Sequence, residues 1–347
     1  MKKSNLSGSL FFLIHFLLEV TSFYVLTTYI KSPCVWGLTL LYDFVAFALQ
    51  GFFGYLRDRG IRLNLALIGT ALTSLSIVLL IFDLYAFIVI SVLSLGNCLV
   101  HVHGAGITLR ASPGKIFPSA LFVAGGSFGV VIGKLLSMRS VAAPWILCLT
   151  VLSFIPIIIT ERMYSSQGDE NLIKYGFSND KINTAAVIIM ATFVVAVRSY
   201  MGYGIPTAWN NTELSMILLY FCMGIGKALG GLLTDRIGIR LTAVISTVGA
   251  LPFLIFGANV MAVSLIGVTF FSMTMAVTLA VIVSRLQKYP GVAFGFTTFG
   301  LFLGTLPFFF FRITSAFVNN IVISLLTVPC AVILFIICRK NSRLEKP

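Results

Sequence analysis

From residue 8 to residue 338 the chain alternates long apolar runs with short breaks made of polar residues, Gly or Pro. A helix needs about 20 mostly apolar residues to cross the hydrocarbon core of a bilayer. By that measure the pattern predicts twelve membrane-spanning helices, at 8–30, 33–56, 63–82, 84–107, 115–137, 142–160, 182–205, 212–234, 241–257, 259–284, 290–311 and 316–338. The ninth and tenth divide near Gly257–Asn259. The longest hydrophilic interruption, ERMYSSQGDENLIKYGFSNDK from Glu161 to Lys181, falls between spans six and seven. Its mixed charges, Gly and Ser read as a cytoplasmic linker, 161–181, between two six-helix bundles, 1–160 and 182–347. The predicted fold class is all-α membrane protein.

Composition agrees with lipid as the solvent. The chain is 58% hydrophobic and 10% charged, with a mean hydropathy of +1.02, whereas a soluble globular surface needs about 25% charged residues. The start, MKKSNLSGSLFFLIHFLLEV, has the lysines and apolar stretch of a signal peptide, yet the apolar region runs on to Tyr29, carries Glu19 and offers no clear small-residue cleavage site. It is read as a retained first span. The six cysteines lie scattered in apolar runs with no CxxC pair, as small core fillers do.

The net charge of +13 takes its meaning from where the cations fall. With the N-terminus placed inside, eighteen of the 24 Lys and Arg lie on inner segments, three (Lys31, Arg139, Arg312) lie outside, and three (Lys134, Arg198, Lys227) lie within spans. Such a bias orients membrane proteins, so it predicts a multi-pass protein of a cell inner (cytoplasmic) membrane with both termini cytoplasmic. It also removes the need for a nucleic-acid partner.

One charged cluster recurs. GGLLTDRIGIRL, Gly230 to Leu241, has a near twin in FGYLRDRGIRL, Phe53 to Leu63, and their aspartates, Asp58 and Asp235, are 177 positions apart, about half the chain. Each follows the second span of its half. A motif repeated at half-length in one topological place points to two parallel, pseudo-symmetric repeats. The second copy reads Gly231-x-Leu233-x-Asp235-Arg236-x-Gly238-x-Arg240; the first reads Gly54-x-Leu56-x-Asp58-Arg59-Gly60-x-Arg62, one residue shorter before the last glycine. A short connection needs Gly to turn, and an Asp at a helix end can accept from the N-terminus of a neighbouring helix. The expectation is a conformational latch formed by Gly54, Asp58, Arg59, Arg62, Gly231, Asp235, Arg236, Gly238 and Arg240.

In these motifs the chain resembles the major facilitator superfamily, whose signature G-x-L-x-D-R-x-G-x-R stands between helices two and three and again between eight and nine. The resemblance covers the whole chain. It implies the major facilitator fold and a secondary active transporter working by alternating access, with a substrate cavity between the halves. A finer resemblance, to the fosmidomycin-resistance-like branch of efflux carriers, rests on GNCLVHVHGAG (Gly96 to Gly106), YDFVAFALQ (Tyr42 to Gln50) and HFLLEV (His15 to Val20). The G-N-x-x-x-H core matches at Gly96, Asn97 and His101, while the Pro often found after that His is replaced by Val102-His103.

A charge at mid-bilayer costs at least about 2.5–3.5 kcal/mol and needs a reason. Glu19 lies near the middle of span one with His15 one turn away on the same face; Asp43 lies near the middle of span two. These three are the candidate proton-coupling residues, the rival being fixed interhelical pairs. Arg198 in span seven, with Tyr200, Gln50, His101 and Asn97, is the candidate substrate-binding set; Tyr203 and Trp209 are expected near an outer mouth. The HVH of His101 and His103 carries no metal reading, because alternate residues on a helix diverge and no Cys or carboxylate cluster accompanies them. Gly125, Gly126, Gly129 and Gly133 let span five approach a neighbour closely; a Gly/Pro-rich version of this helix marks antiporters of the superfamily, and this copy lacks the Pro. No P-loop completes at Gly133-Lys134, and no HExxH or GxSxG motif supports an enzyme. The expectation is a monomeric, cofactor-free carrier of a small organic solute, coupled to protons or another ion. Export is the leading direction, with uptake by symport and a non-transporting sensor as alternatives.

Overall fold

The computed structural model describes residues 3–60, 63–164, 176–204, 209, 211–257, 260–311, 313 and 315–338. Among them the chain folds into helices α1 (Lys3–Thr28), α2 (Val35–Asp58), α3 (Leu65–Ile81), α4 (Ala86–Arg110), α5 (Phe117–Met138), α6 (Ala143–Tyr164), α7 (Thr184–Gly204), α8 (Glu213–Ile237), α9 (Ile239–Phe256), α10 (Met261–Arg285), α11 (Pro290–Phe310) and α12 (Ala316–Ile337). Eleven are long and apolar enough to cross a membrane. The twelfth, α3, has 17 residues, which at 1.5 Å each reaches about 26 Å, close to the hydrocarbon thickness. No β-strand forms among the described residues; one isolated bridge joins Ser178 and Cys338.

Helix ends follow local chemistry. Pro118, Pro144 and Pro290 stand in first turns, where a missing N–H costs nothing. The Asn64 side chain accepts from Leu67 N to cap α3, and Thr212 with Ser215 forms a capping box on α8. Helix α6 runs to Tyr164, four residues into the expected linker. Residues 165–175 lie outside the described residues, and the chain then returns onto the second bundle: Asn179 N donates to Ile337 O at 2.8 Å, Phe177 N to Ser284 Oγ at 3.1 Å, and the Arg285 guanidinium to Asn179 O.

The bundles cover their outsides with large apolar side chains such as Phe317, Phe310 and Trp145, each at least two-thirds exposed, as lipid contact demands. Within the first bundle α1 lies flat on α5, because a Cβ at Gly125, Gly129 or Gly133 would strike the backbone oxygens of Phe12, Phe16 and Val20 in turn. The close approach expected of this glycine stripe is thus made to α1. Between bundles, α2 packs on α11 and α5 on α8. These two pairs exchange when helices 1–6 are renumbered 7–12, as a parallel repeat requires.

Candidate functional site

The repeated motifs meet their partners across the bundles. Asp58, at the end of α2, accepts from Val292 N at 3.0 Å in the first turn of α11 and from Arg110 Nη2 at 3.1 Å. Asp235, near the end of α8, accepts from Ile116 N at 2.9 Å and Phe117 N at 3.0 Å at the start of α5. Each carboxylate therefore caps a helix of the other bundle, on one membrane face, hereafter the motif face. A helix N-terminus carries partial positive charge and unpaired N–H groups; Pro118 and Pro290 begin those helices without using up the remaining donors.

The glycines divide into two roles. Gly60 and Gly238 take φ of +99° and +92°, so the turn survives the one-residue shortening in the first copy. Gly54 and Gly231 do not turn the chain; they lie inside α2 and α8. A Cβ on Gly54 would run into the Gly291 backbone, and one on Gly231 into the Ala120 side chain. They allow the bundles to touch where the aspartates reach across.

Among the described residues, the arginines of the motif make no bond to the clasp aspartates. Arg59 folds back on Tyr55 of its own helix, bonding its hydroxyl at 3.0 Å; Arg236 is exposed; Arg240 lies 3.7 Å over the Phe335 ring of α12; Arg62 is outside the described residues. The cation on Asp58 is Arg110, whose only signal in the sequence was its place in the inner charge count. Arg57 bonds His103 at 2.6 Å, and Glu161 reaches Asn64 at 2.9 Å.

An aromatic layer lies between the bundles near the clasp. Phe122 of α5 and Phe294 of α11 bring their rings to 6.0 Å, and His101 of α4 stacks on Phe294 at 6.4 Å. Next to this layer is a buried cluster with one rung from α1 and one from α4. Glu19 Oε1 receives Asn97 Nδ2 at 2.9 Å and lies 3.5 Å from His15 Nε2 and 3.7 Å from His101 Nε2. His15 Nδ1 contacts Phe122 O at 2.8 Å and His101 Nδ1 contacts Asn97 O at 3.0 Å. A carbonyl only accepts, so each Nδ1 carries a hydrogen and each ring turns its Nε2 toward the carboxylate. Gly126 leaves the space that the His15 ring fills. All four side chains are 5% exposed or less.

Asp43, also buried, immediately precedes a π-helical turn, Phe44–Ala48, and faces the Thr305 hydroxyl of α11 in the other bundle. Such π-turns recur at functional sites; no Gly or Pro marks this one. Gln50 is fully buried and donates to Ala46 O at 2.5 Å, which ties it to that turn. The remaining intramembrane cations bridge or stand alone. Lys134 Nζ bonds Tyr220 OH at 2.8 Å and Lys227 Nζ bonds Ser127 Oγ at 2.7 Å, both across the bundles. Arg198 is half-buried, and its Nε meets no hydrogen-bond partner. Tyr200 packs beside the apolar core; the buried Trp209 Nε1 has no partner, and the Tyr203 side chain is outside the described residues.

A crystal structure of the E. coli fucose:proton symporter FucP matches this arrangement over 96% of this chain and 98% of that one, with a TM-score of 0.66 at 15% identity. The chain has the major facilitator fold. Its twelve helices in paired halves correspond to that architecture, and eleven of them are long and apolar enough to cross a membrane. No family model and no curated protein matches it by sequence.

Proposed function

We propose that this chain is a proton-coupled secondary transporter that carries a small organic solute by alternating access, as a monomer in a cell inner membrane with both termini in the cytoplasm. The observation that carries the reading is the reciprocal cross-bundle capping by Asp58 and Asp235. Carboxylate–amide bonds at a wetted face exchange for water when the face opens, so a clasp of this kind can release and reform. The cytoplasmic linker at 161–181 would let the bundles rock without parting.

Two groups of acids are the candidates for coupling. Glu19 with His15 and His101 forms a buried cluster of titratable groups. Asp43 is the stronger proton carrier, since its partner lies in the opposite bundle. The Thr305 hydroxyl can donate to Phe302 O, 2.8 Å away, or to the Asp43 carboxylate. A carboxylate at Asp43 accepts from that hydroxyl, whereas a protonated Asp43 donates to its oxygen, so proton loading reverses the bond between α2 and α11. Proton loading then alters the same interface that rocking must open. Arg198, with its unpartnered Nε, is the first anchor to test for solute binding.

The fucose:proton symporter supports proton coupling only by likeness of fold. The Gly96, Asn97 and His101 match supports export as the direction to test first; the glycine stripe of α5 serves packing on α1 and adds nothing to direction. Proteoliposomes with an imposed pH gradient, screened by counterflow, test the reading. The expected result is saturable flux with trans-stimulation, reversed in sign when the gradient is reversed. Linear flux without trans-stimulation would mean a channel.

A further inference from the structure

We propose that His15, Glu19 and His101 form a binding site for a divalent transition-metal ion of the zinc class. Their ligand atoms, two imidazole nitrogens and a carboxylate oxygen, lie within 4.8 Å of one another. With metal–ligand bonds of about 2.0–2.1 Å, a tetrahedral ion has ligand–ligand edges of about 3.3–3.4 Å. The two edges from Glu19 Oε1, at 3.5 and 3.7 Å, need only small movements to match. His103, two residues on along the same helix, diverges from His101; the partner ligands come instead from α1.

The second observation is the way the rings are held. Metal-bound histidines almost always donate their other ring N–H to a carbonyl or carboxylate, which fixes tautomer and orientation. Both rings here do so, to Phe122 O and Asn97 O. These bonds leave both Nε2 atoms facing the Glu19 carboxylate. The Asn97 amide donates to Oε1, and Glu19 Oε2 is buried without a hydrogen-bond partner.

Two nitrogens and one oxygen select zinc, cobalt or nickel over magnesium and calcium, which take oxygen shells. Three protein ligands leave a fourth position open. That position takes water or an anion such as hydroxide. The site is independent of Asp43, and binding at it does not require the transport reading to hold.

The test uses the full chain, purified in detergent, stripped of metal and titrated with Co²⁺. The expected result is a visible absorption band from four- or five-coordinate cobalt, saturating at one equivalent and erased by Zn²⁺, without the near-ultraviolet sulfur band that the exposed Cys34 and Cys148 would produce. Glu19→Gln and His101→Ala should each weaken binding by at least about a hundredfold, judging from the 10- to 100-fold lost when even outer-shell partners are removed. His103→Ala should leave the band intact. A wild-type protein with no such band overturns the proposal, as does a band that survives in His101→Ala or is lost from a monodisperse His103→Ala protein.

Discussion

Replacing both clasp carboxylates, as Asp58→Ala with Asp235→Ala, will move the protein toward the state open on the motif face by about ten- to a hundredfold. Each aspartate accepts main-chain donors of a helix in the other bundle. Hydrogen bonds to a charged group contribute about 1.5–3 kcal/mol, part of which water restores when the face opens. A net loss of about 1.4 kcal/mol is already tenfold in population. The readout is alkylation of a cysteine placed at Phe294, which is 2% exposed behind the clasp, by a reagent confined to the motif face. Faster alkylation in the double variant is expected, with each single variant intermediate; an unchanged rate would make the clasp a fixed structural contact.

Asp43→Asn will abolish pH-driven accumulation while leaving counterflow. An amide can donate permanently to Thr305 Oγ, as the protonated acid would, and it carries no proton across. One unit of pH gradient is worth 1.36 kcal/mol per coupled proton, about tenfold accumulation, so the expected change is from tenfold per unit to none. Counterflow needs only the rocking of a loaded carrier and should persist. Full accumulation in Asp43→Asn would transfer the coupling role to the His15–Glu19–His101 cluster.

The helices were legible because lipid imposes a length and a composition on every span. The motif was legible because both copies keep an Asp before a glycine of positive φ, even with the first copy one residue short. What the sequence withheld was partnership across space. Helical spacing puts His15 beside Glu19 and Asn97 beside His101, but nothing in either stretch says that these two rungs face each other. Asp58 and Asp235 announce a helix-capping role, while the amides they accept from at the starts of α11 and α5, those of Val292 and Ile116, lie 234 and 119 positions away. The arginines misled for a related reason. Arg59 and Arg236 adjoin the aspartates in sequence, but the next residue on a helix points elsewhere, and Arg110 arrives from α4 instead. The π-turn after Asp43 had no residue signature, since its five residues, FVAFA, are ordinary apolar helix formers.

Paired spin labels give the most direct test of rocking bundles. After replacement of the exposed Cys34 and Cys148, one pair would sit on the motif face at Leu63 and Lys288 and the other on the opposite face at Tyr85 and Asn211, all exposed positions. Breaking the clasp should lengthen the first distance and shorten the second in the same molecules. A motif face that loosens while the opposite face keeps its distance would mean local fraying, and the carrier mechanism would fail.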